Sequence, residues 1–247
     1  MEIPKNLIIH IFWLFFIVLV SGARAEPIYH EKFYPAGSGP FPAVIALHTS
    51  GGFKTVKHLI KRYVDDGFAV YAPDFFKKHG LTPRTRMQTF NEHRKDIEKD
   101  LNEIIKLMKN DPKIESKNVF ATGFSNGGFW VCYLAGTAQV SAGVSHYGVW
   151  KANFGREWEN EYPMKYFSSK SSPILALHGE EDGTQRIRYA EQAWDDIQVM
   201  EGKLEFHVYP EAGHAWDRKN HFKYLYNEDV DKDSHKRTID FFRKFMK

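Results

Sequence analysis

One pentapeptide, Gly123-Phe124-Ser125-Asn126-Gly127, limits the folds open to this chain more than any other feature. A β-rich run, Lys117 to Thr122, leads straight into it, and a helix-compatible run, Gly128 to Ala135, follows. Strand, sharp glycine-flanked turn and helix in that order hold a serine hydroxyl exposed above the edge of an α/β sheet. A side chain at Gly123 or Gly127 would collide as the backbone reverses under the serine. The G-x-S-x-G pattern alone recurs by chance in roughly one chain in ten of this length, so its flanks carry the argument.

Strand and helix signals alternate along the whole chain. Strands are expected over Ile28–Tyr34, Ala43–Leu47, Phe68–Ala72, Val140–Tyr147, Ile174–His178 and Leu204–Tyr209, besides the one entering the serine turn. Helices are expected over Thr55–Asp66, Gln185–Met200 and Lys232–Met246, with a long amphipathic one from Thr85 to Lys109. In that long helix Phe90, Ile97, Leu101, Ile104 and Met108 share a stripe, and the many charges between them form a solvated face. Short Val/Ile/Ala/Leu strands between helices predict a mostly parallel sheet covered on both faces. Such sheets bind ligands at the carboxyl ends of their strands.

The first 25 residues read as a signal peptide rather than as fold. Lys5 precedes an apolar run from Leu7 to Val20, and Ala23-Arg24-Ala25 completes a cleavage signal. The run is shorter than a membrane span requires. Cleavage after Ala25 predicts a secreted or periplasmic protein with no stable membrane association, its single domain running over residues 26–247. Leaving Lys5, Arg24 and Glu2 out of 34 basic and 31 acidic residues gives a net charge of +2. That balance argues against nucleic acid as a partner. Cys132 is the only cysteine, so no internal disulfide forms, and its place in the helical run after the serine suits packing better than reactivity.

Serine needs a neighbouring base, and the base needs an orienting group. The loop after strand Ile174–His178 carries Glu180, Glu181 and Asp182, and strand Leu204–Tyr209 leads to Ala212-Gly213-His214. The chain order Ser, Asp, His with each residue after a strand assigns Ser125 as nucleophile, His214 as base and then acid, and Asp182 as orienter. Backbone N–H groups of Asn126 and Thr49 are the expected oxyanion donors, the latter in the loop His48-Thr49-Ser50-Gly51-Gly52. His207, His214 and His221 recur at intervals of seven, but no H-x-x-x-H or H-E-x-x-H pair accompanies them, so neither metal nor cofactor is expected.

Val44 to Gly51, Gly67 to Asp74, the serine turn, Ser145 to Val149, Leu177 to Gly179 with Asp182, and Ala212 to His214 together resemble the dienelactone hydrolase family of α/β hydrolases. The resemblance spans most of residues 30–246. It implies an α/β-hydrolase fold and hydrolysis of a small carboxylic ester or lactone through an acyl-enzyme. Founding members of the family use a cysteine where this chain has Ser125 and a glutamate where it has His48. The resemblance also implies a pair of basic residues holding a substrate carboxylate, here Arg218 and Lys78, and Trp150, Trp216 and His48 are taken as further substrate contacts. A thioesterase or peptidase could use the same three groups, and a binding protein on a hydrolase scaffold is the non-enzymatic alternative. A monomer with a small-molecule substrate is expected.

Overall fold

The computed structural model describes residues 28–247, so the expected signal peptide lies outside the described residues. Seven strands form one sheet: β1 (His30–Phe33), β2 (Phe41–Leu47), β3 (Ala69–Pro73), β4 (Ile114–Phe124), β5 (Gly143–His146), β6 (Ile174–Gly179) and β7 (Leu204–Tyr209). Their spatial order is β1-β3-β2-β4-β5-β6-β7. All neighbours run parallel except β1, which pairs antiparallel with β3 at the edge. The helices are α1 (Lys57–Asp65), α2 (Arg94–Asn110), α3 (Asn126–Gly136), α4 (Ile187–Val199) and α5 (Glu228–Lys244). Among the described residues no helix is long and apolar enough to cross a membrane.

Strand β2 shows how the sequence builds both layers. Side chains alternate across a strand, and Ala43, Ile45 and Leu47 enter one core while Val44 and Ala46 enter the other. The first core packs under α2, α3 and α4, the second under α1 and α5. Burial on both sides is why the central strands are unbroken apolar runs, each buried Val, Ile or Leu side chain contributing roughly 1.5–3 kcal/mol. Helix α3 is buried along its whole length, which explains why its sequence lacks a polar face. Cys132 lies inside it, and burial pushes the thiol pKa up, leaving a packing residue.

Several boundaries differ from expectation, three of them with a visible local cause. The helix expected from Thr85 starts only at Arg94, because Arg86–Thr89 forms a separate 3-10 turn. There the Asn126 side chain donates to Thr89 Oγ1 at 3.1 Å and to the Arg86 carbonyl at 3.4 Å, and Phe90 packs on Phe129 with ring centroids 4.7 Å apart. Tertiary contacts have taken the groups a continuing helix would use. Strand β5 covers only Gly143–His146 of the expected Val140–Tyr147; at its far end Tyr147 leaves extended geometry, with φ 37°. Helix α5 begins four residues before Lys232, where Asn227 Oδ1 accepts the Val230 N–H at 3.2 Å as an N-cap.

His146, at the end of β5, is buried in stacking contact with Phe124, ring centroids 4.4 Å apart. Its Nε2–H donates to the Thr238 hydroxyl at 3.2 Å, since that hydroxyl itself donates to the Ser234 carbonyl. Burial lowers its pKa to about 3. The unfolded chain protonates this imidazole below about 6.5, the folded chain only near 3, so the folded state loses ground as pH falls between those values. Wild-type protein should lose on the order of 2 kcal/mol between pH 7 and pH 4.5 through this one group. Urea melts at the two pH values should show a smaller loss for His146→Leu than for wild type; equal losses would assign the acid sensitivity elsewhere.

Candidate active site

Strand β4 sits in the middle of the sheet, between β2 and β5, and delivers Ser125 to the carboxyl edge. Ser125 is the residue before α3 and has φ 53° and ψ −110°, a conformation costing roughly 1–3 kcal/mol outside glycine. Several hydrogen bonds hold it there. Its N–H donates to the His146 carbonyl at 3.0 Å, and its own carbonyl accepts from Gly128 and Val149 at 2.9 and 3.1 Å. The flanking glycines are a steric necessity. A Cβ on Gly123 would lie 2.3 Å from the Gly127 carbonyl oxygen, and one on Gly127 would lie 2.3 Å from that of Leu47.

His214, in the loop after β7, brings Nε2 to 2.9 Å from Ser125 Oγ. Its Nδ1 lies 2.6 Å from Asp182 Oδ2, in the loop after β6. A carboxylate can only accept, so Nδ1 carries the proton and Nε2 presents its lone pair to the serine hydroxyl. The other oxygen of Asp182 accepts the Thr184 and Gln185 N–H groups, each at 2.8 Å. Burial alone would raise the Asp182 pKa; the bond from His214, the neighbouring His214 and His178 rings, and the Gln185 N–H outweigh it and hold the group below its ordinary value. The carboxylate therefore stays ionised through the neutral range. Glu180 and Glu181, its rivals in sequence, are exposed or nearly so and take no part in these contacts.

Residues that sequence reasoning passed over steady this arrangement. Buried His178 donates Nε2–H to the Gln185 carbonyl at 2.7 Å, and the Gln185 side chain accepts the Trp150 N–H at 3.0 Å. Burial lowers the His178 pKa, so the ring under Asp182 is neutral. Tyr147 meets the His214 ring edge-on at 4.8 Å and donates its hydroxyl to buried Asp217 at 2.5 Å, and Asp217 also bonds His58 at 3.1 Å. Nothing in the local sequence marks Gln185 or Asp217, because both act through contacts between distant loops.

The two expected oxyanion donors differ in state. Asn126, first residue of α3, has no acceptor for its backbone N–H among the described residues. The Thr49 N–H, in contrast, donates to Thr55 Oγ1 at 3.1 Å. Four of the expected substrate contacts are corrected. Lys78 is paired with buried Asp100 at 2.5 Å, which occupies its charge. Trp216 is 1% exposed, donates to Ser234 Oγ at 3.2 Å and packs on Tyr147 and Tyr209, so it is a core residue. Trp150 is equally buried in the opposite core. His48 is wholly buried, stacked on Phe75 with centroids 3.8 Å apart and bonded to the Thr49 carbonyl at 2.7 Å, so it shapes the loop rather than offering a surface. Arg218 is half-buried, with no ion pair among the described residues. Beside His214 the segment 223–227 and Thr184 wall a cavity of about 450 Å³, with Tyr224 5.1 Å from the His214 ring.

A nucleophile-type turn after a central parallel strand, with the acid and histidine in later strand-end loops, defines an α/β-hydrolase fold. The chain belongs to the dienelactone hydrolase family, whose model matches residues 31–246, and so to the hydrolases acting on ester bonds. A protein of Methylorubrum extorquens provisionally named a carboxymethylenebutenolidase is 25% identical over 85% of this chain and 75% of its own length. An uncharacterized peptidase of Bacillus subtilis is 27% identical over 83% of this chain, which spans only 35% of that relative. Among solved structures, a dienelactone hydrolase-like promiscuous phosphotriesterase from metagenomic libraries superposes with a TM-score of 0.70 at 17% identity, covering 89% of this chain and 99% of that one. A propionate-bound esterase of Thermogutta terrifontis gives 0.67 at 14% identity, over 87% and 88% of the two chains.

The clash at Gly127 is with backbone of the central sheet, which cannot swing aside. Gly127→Ala should therefore cost about 1–3 kcal/mol or more, lowering Tm by roughly 2–10 °C. A calorimetric scan showing an unchanged Tm would contradict the close approach of α3 to β2.

Proposed function

We propose that this protein is an exported serine hydrolase that cleaves a carboxylic ester or lactone through an acyl-enzyme, using Ser125, His214 and Asp182. The continuous hydrogen-bond chain from Ser125 Oγ through His214 to Asp182 is the observation that carries this reading. His214 Nε2 takes the Ser125 proton as Oγ attacks the carbonyl carbon. Asp182 keeps the ring in the Nδ1–H tautomer and balances the imidazolium charge that develops. The Asn126 N–H, at the N-terminus of α3, faces the oxygen on which negative charge appears. The acyl oxygen competes with Thr55 Oγ1 for the second donor, the Thr49 N–H. His214 then gives its proton to the leaving alkoxide, which departs from a simple ester and stays tethered in a lactone. A water activated by the same imidazole releases the acid and restores Ser125.

An ester suits the family better than an amide, although two relatives carry peptidase names, the Bacillus subtilis protein and a dipeptidyl-peptidase 5 of Porphyromonas gingivalis. The same proton relay would serve either leaving group, so the substrate panel has to include both.

A fluorophosphonate probe should label wild-type protein and leave Ser125→Ala unlabelled. Turnover of p-nitrophenyl esters should fall by a factor on the order of 10⁶ in Ser125→Ala and His214→Ala, while Asp182→Asn keeps a measurable remainder, down roughly 10⁴-fold. Equal, mild losses in all three variants would sink the assignment, and absent labelling of wild type would favour a binding protein. Export rests on Lys5, the Leu7–Val20 run and the Ala23-Arg24-Ala25 signal. Intact-mass measurement of protein recovered from a secreting bacterial host should give a chain beginning at Glu26; retention of the first 25 residues would refute cleavage.

A further inference from the structure

At some remove from the serine turn, His79, His93 and Asp96 each bring one potential ligand atom into a cluster in which all three lie within 4.8 Å of one another. His79 ends the 3-10 turn that follows β3. His93 caps α2 and Asp96 stands one turn further along it, so both project from the same helical face. The two imidazoles are 5.2 Å apart between centroids. Among the described residues neither the His93 ring nor the Asp96 carboxylate has a hydrogen bond or ion pair.

His79 is already prepared as a ligand. Its Nε2 lies 2.8 Å from Oδ2 of Asp100, which is 1% exposed and whose other oxygen pairs with Lys78 at 2.5 Å. A carboxylate only accepts, so Nε2 carries the proton and Nδ1 the lone pair. A buried carboxylate fixing the far nitrogen of a histidine is how metal-binding imidazoles are oriented and made more basic.

We propose that His79, His93 and Asp96 form a site for one divalent transition-metal ion of the zinc class. Two imidazoles and one carboxylate make a borderline donor set that suits Zn²⁺ with water as the fourth ligand, whereas Ca²⁺ and Mg²⁺ require oxygen cages. The Asp96 charge offsets the positive end of α2, which would otherwise repel a cation. Bound there, the ion closes the excursion between residues 79 and 93. That excursion carries Arg86 and Thr89, which hold the Asn126 side chain. The role is structural, since none of the three ligands touches Ser125 or His214.

Tag-free protein, stripped with EDTA and dialysed, should bind one equivalent of Zn²⁺ in isothermal titration calorimetry. Co²⁺ should bring visible absorption of a four-coordinate site. Zn²⁺ should raise Tm, and equimolar Mg²⁺ or Ca²⁺ should leave it unchanged. His79→Ala and His93→Ala should each weaken Zn²⁺ binding at least tenfold. Asp96→Asn, at an exposed position that folding does not need, should weaken it too. No binding by wild type would overturn the proposal. So would an equivalent that survives these substitutions, or one that disappears instead in His214→Ala.

Discussion

Everything at the carboxyl edge of the sheet depends on how closely the first turn of α3 is pressed against the end of β2. A Cβ at Gly127 would sit 2.3 Å from the Leu47 carbonyl oxygen, so only hydrogen fits there. This contact holds Ser125 in a positive-φ conformation that a serine would not choose, and the cost is met by packing of the wholly buried helix behind it. With the backbone held on both sides, the Ser125 hydroxyl meets His214 Nε2 at 2.9 Å. The contact at Gly127 also brings the first turn of α3, which Asn126 opens, against the end of β2 and the His48 carbonyl.

Around that hydroxyl the electrostatics are set by buried acids. Asp182 is bonded to the His214 ring directly, and Asp217 reaches it through Tyr147. Burial of a carboxylate is expensive unless donors surround it, and each has them: His214, Thr184 and Gln185 for Asp182, and Tyr147 and His58 for Asp217. The Tyr147 pKa is pushed well up by burial and by Asp217, so its hydroxyl remains a donor. The Asp217 arm packs the second core against the histidine loop, and the Asp182 arm ties that loop to the segment around Trp150.

Much of this was legible in the chain. Ser125, Asp182 and His214 could be read because the fold leaves few places for such groups, each just beyond a strand that the apolar pattern identifies. The strands followed from short continuous apolar runs, and β7 was read to the residue. Reading failed where residue type says little about direction. Lys78, Trp150 and Trp216 stand near the expected edge, but a lysine after a strand can turn inward to an acid such as Asp100, and a tryptophan can enter the core. The helix expected from Thr85 failed differently, since the Asn126 side chain and Phe129 claim Arg86, Thr89 and Phe90 from a segment with sound helical periodicity.

By itself the sequence determined the layered parallel sheet, the glycine-flanked turn that carries Ser125, and the identity of its histidine and acid partners, because apolar periodicity and glycine sterics are local properties of a chain. Tertiary structure alone decided that Thr55 rather than solvent takes the Thr49 N–H. It also decided that Gln185, His178 and Tyr147 brace the relay, and that His79 meets His93 across a gap in sequence. Those outcomes depend on distances between segments far apart along the chain, and a hydrogen bond of 3 Å leaves no trace in the order of residues that make it.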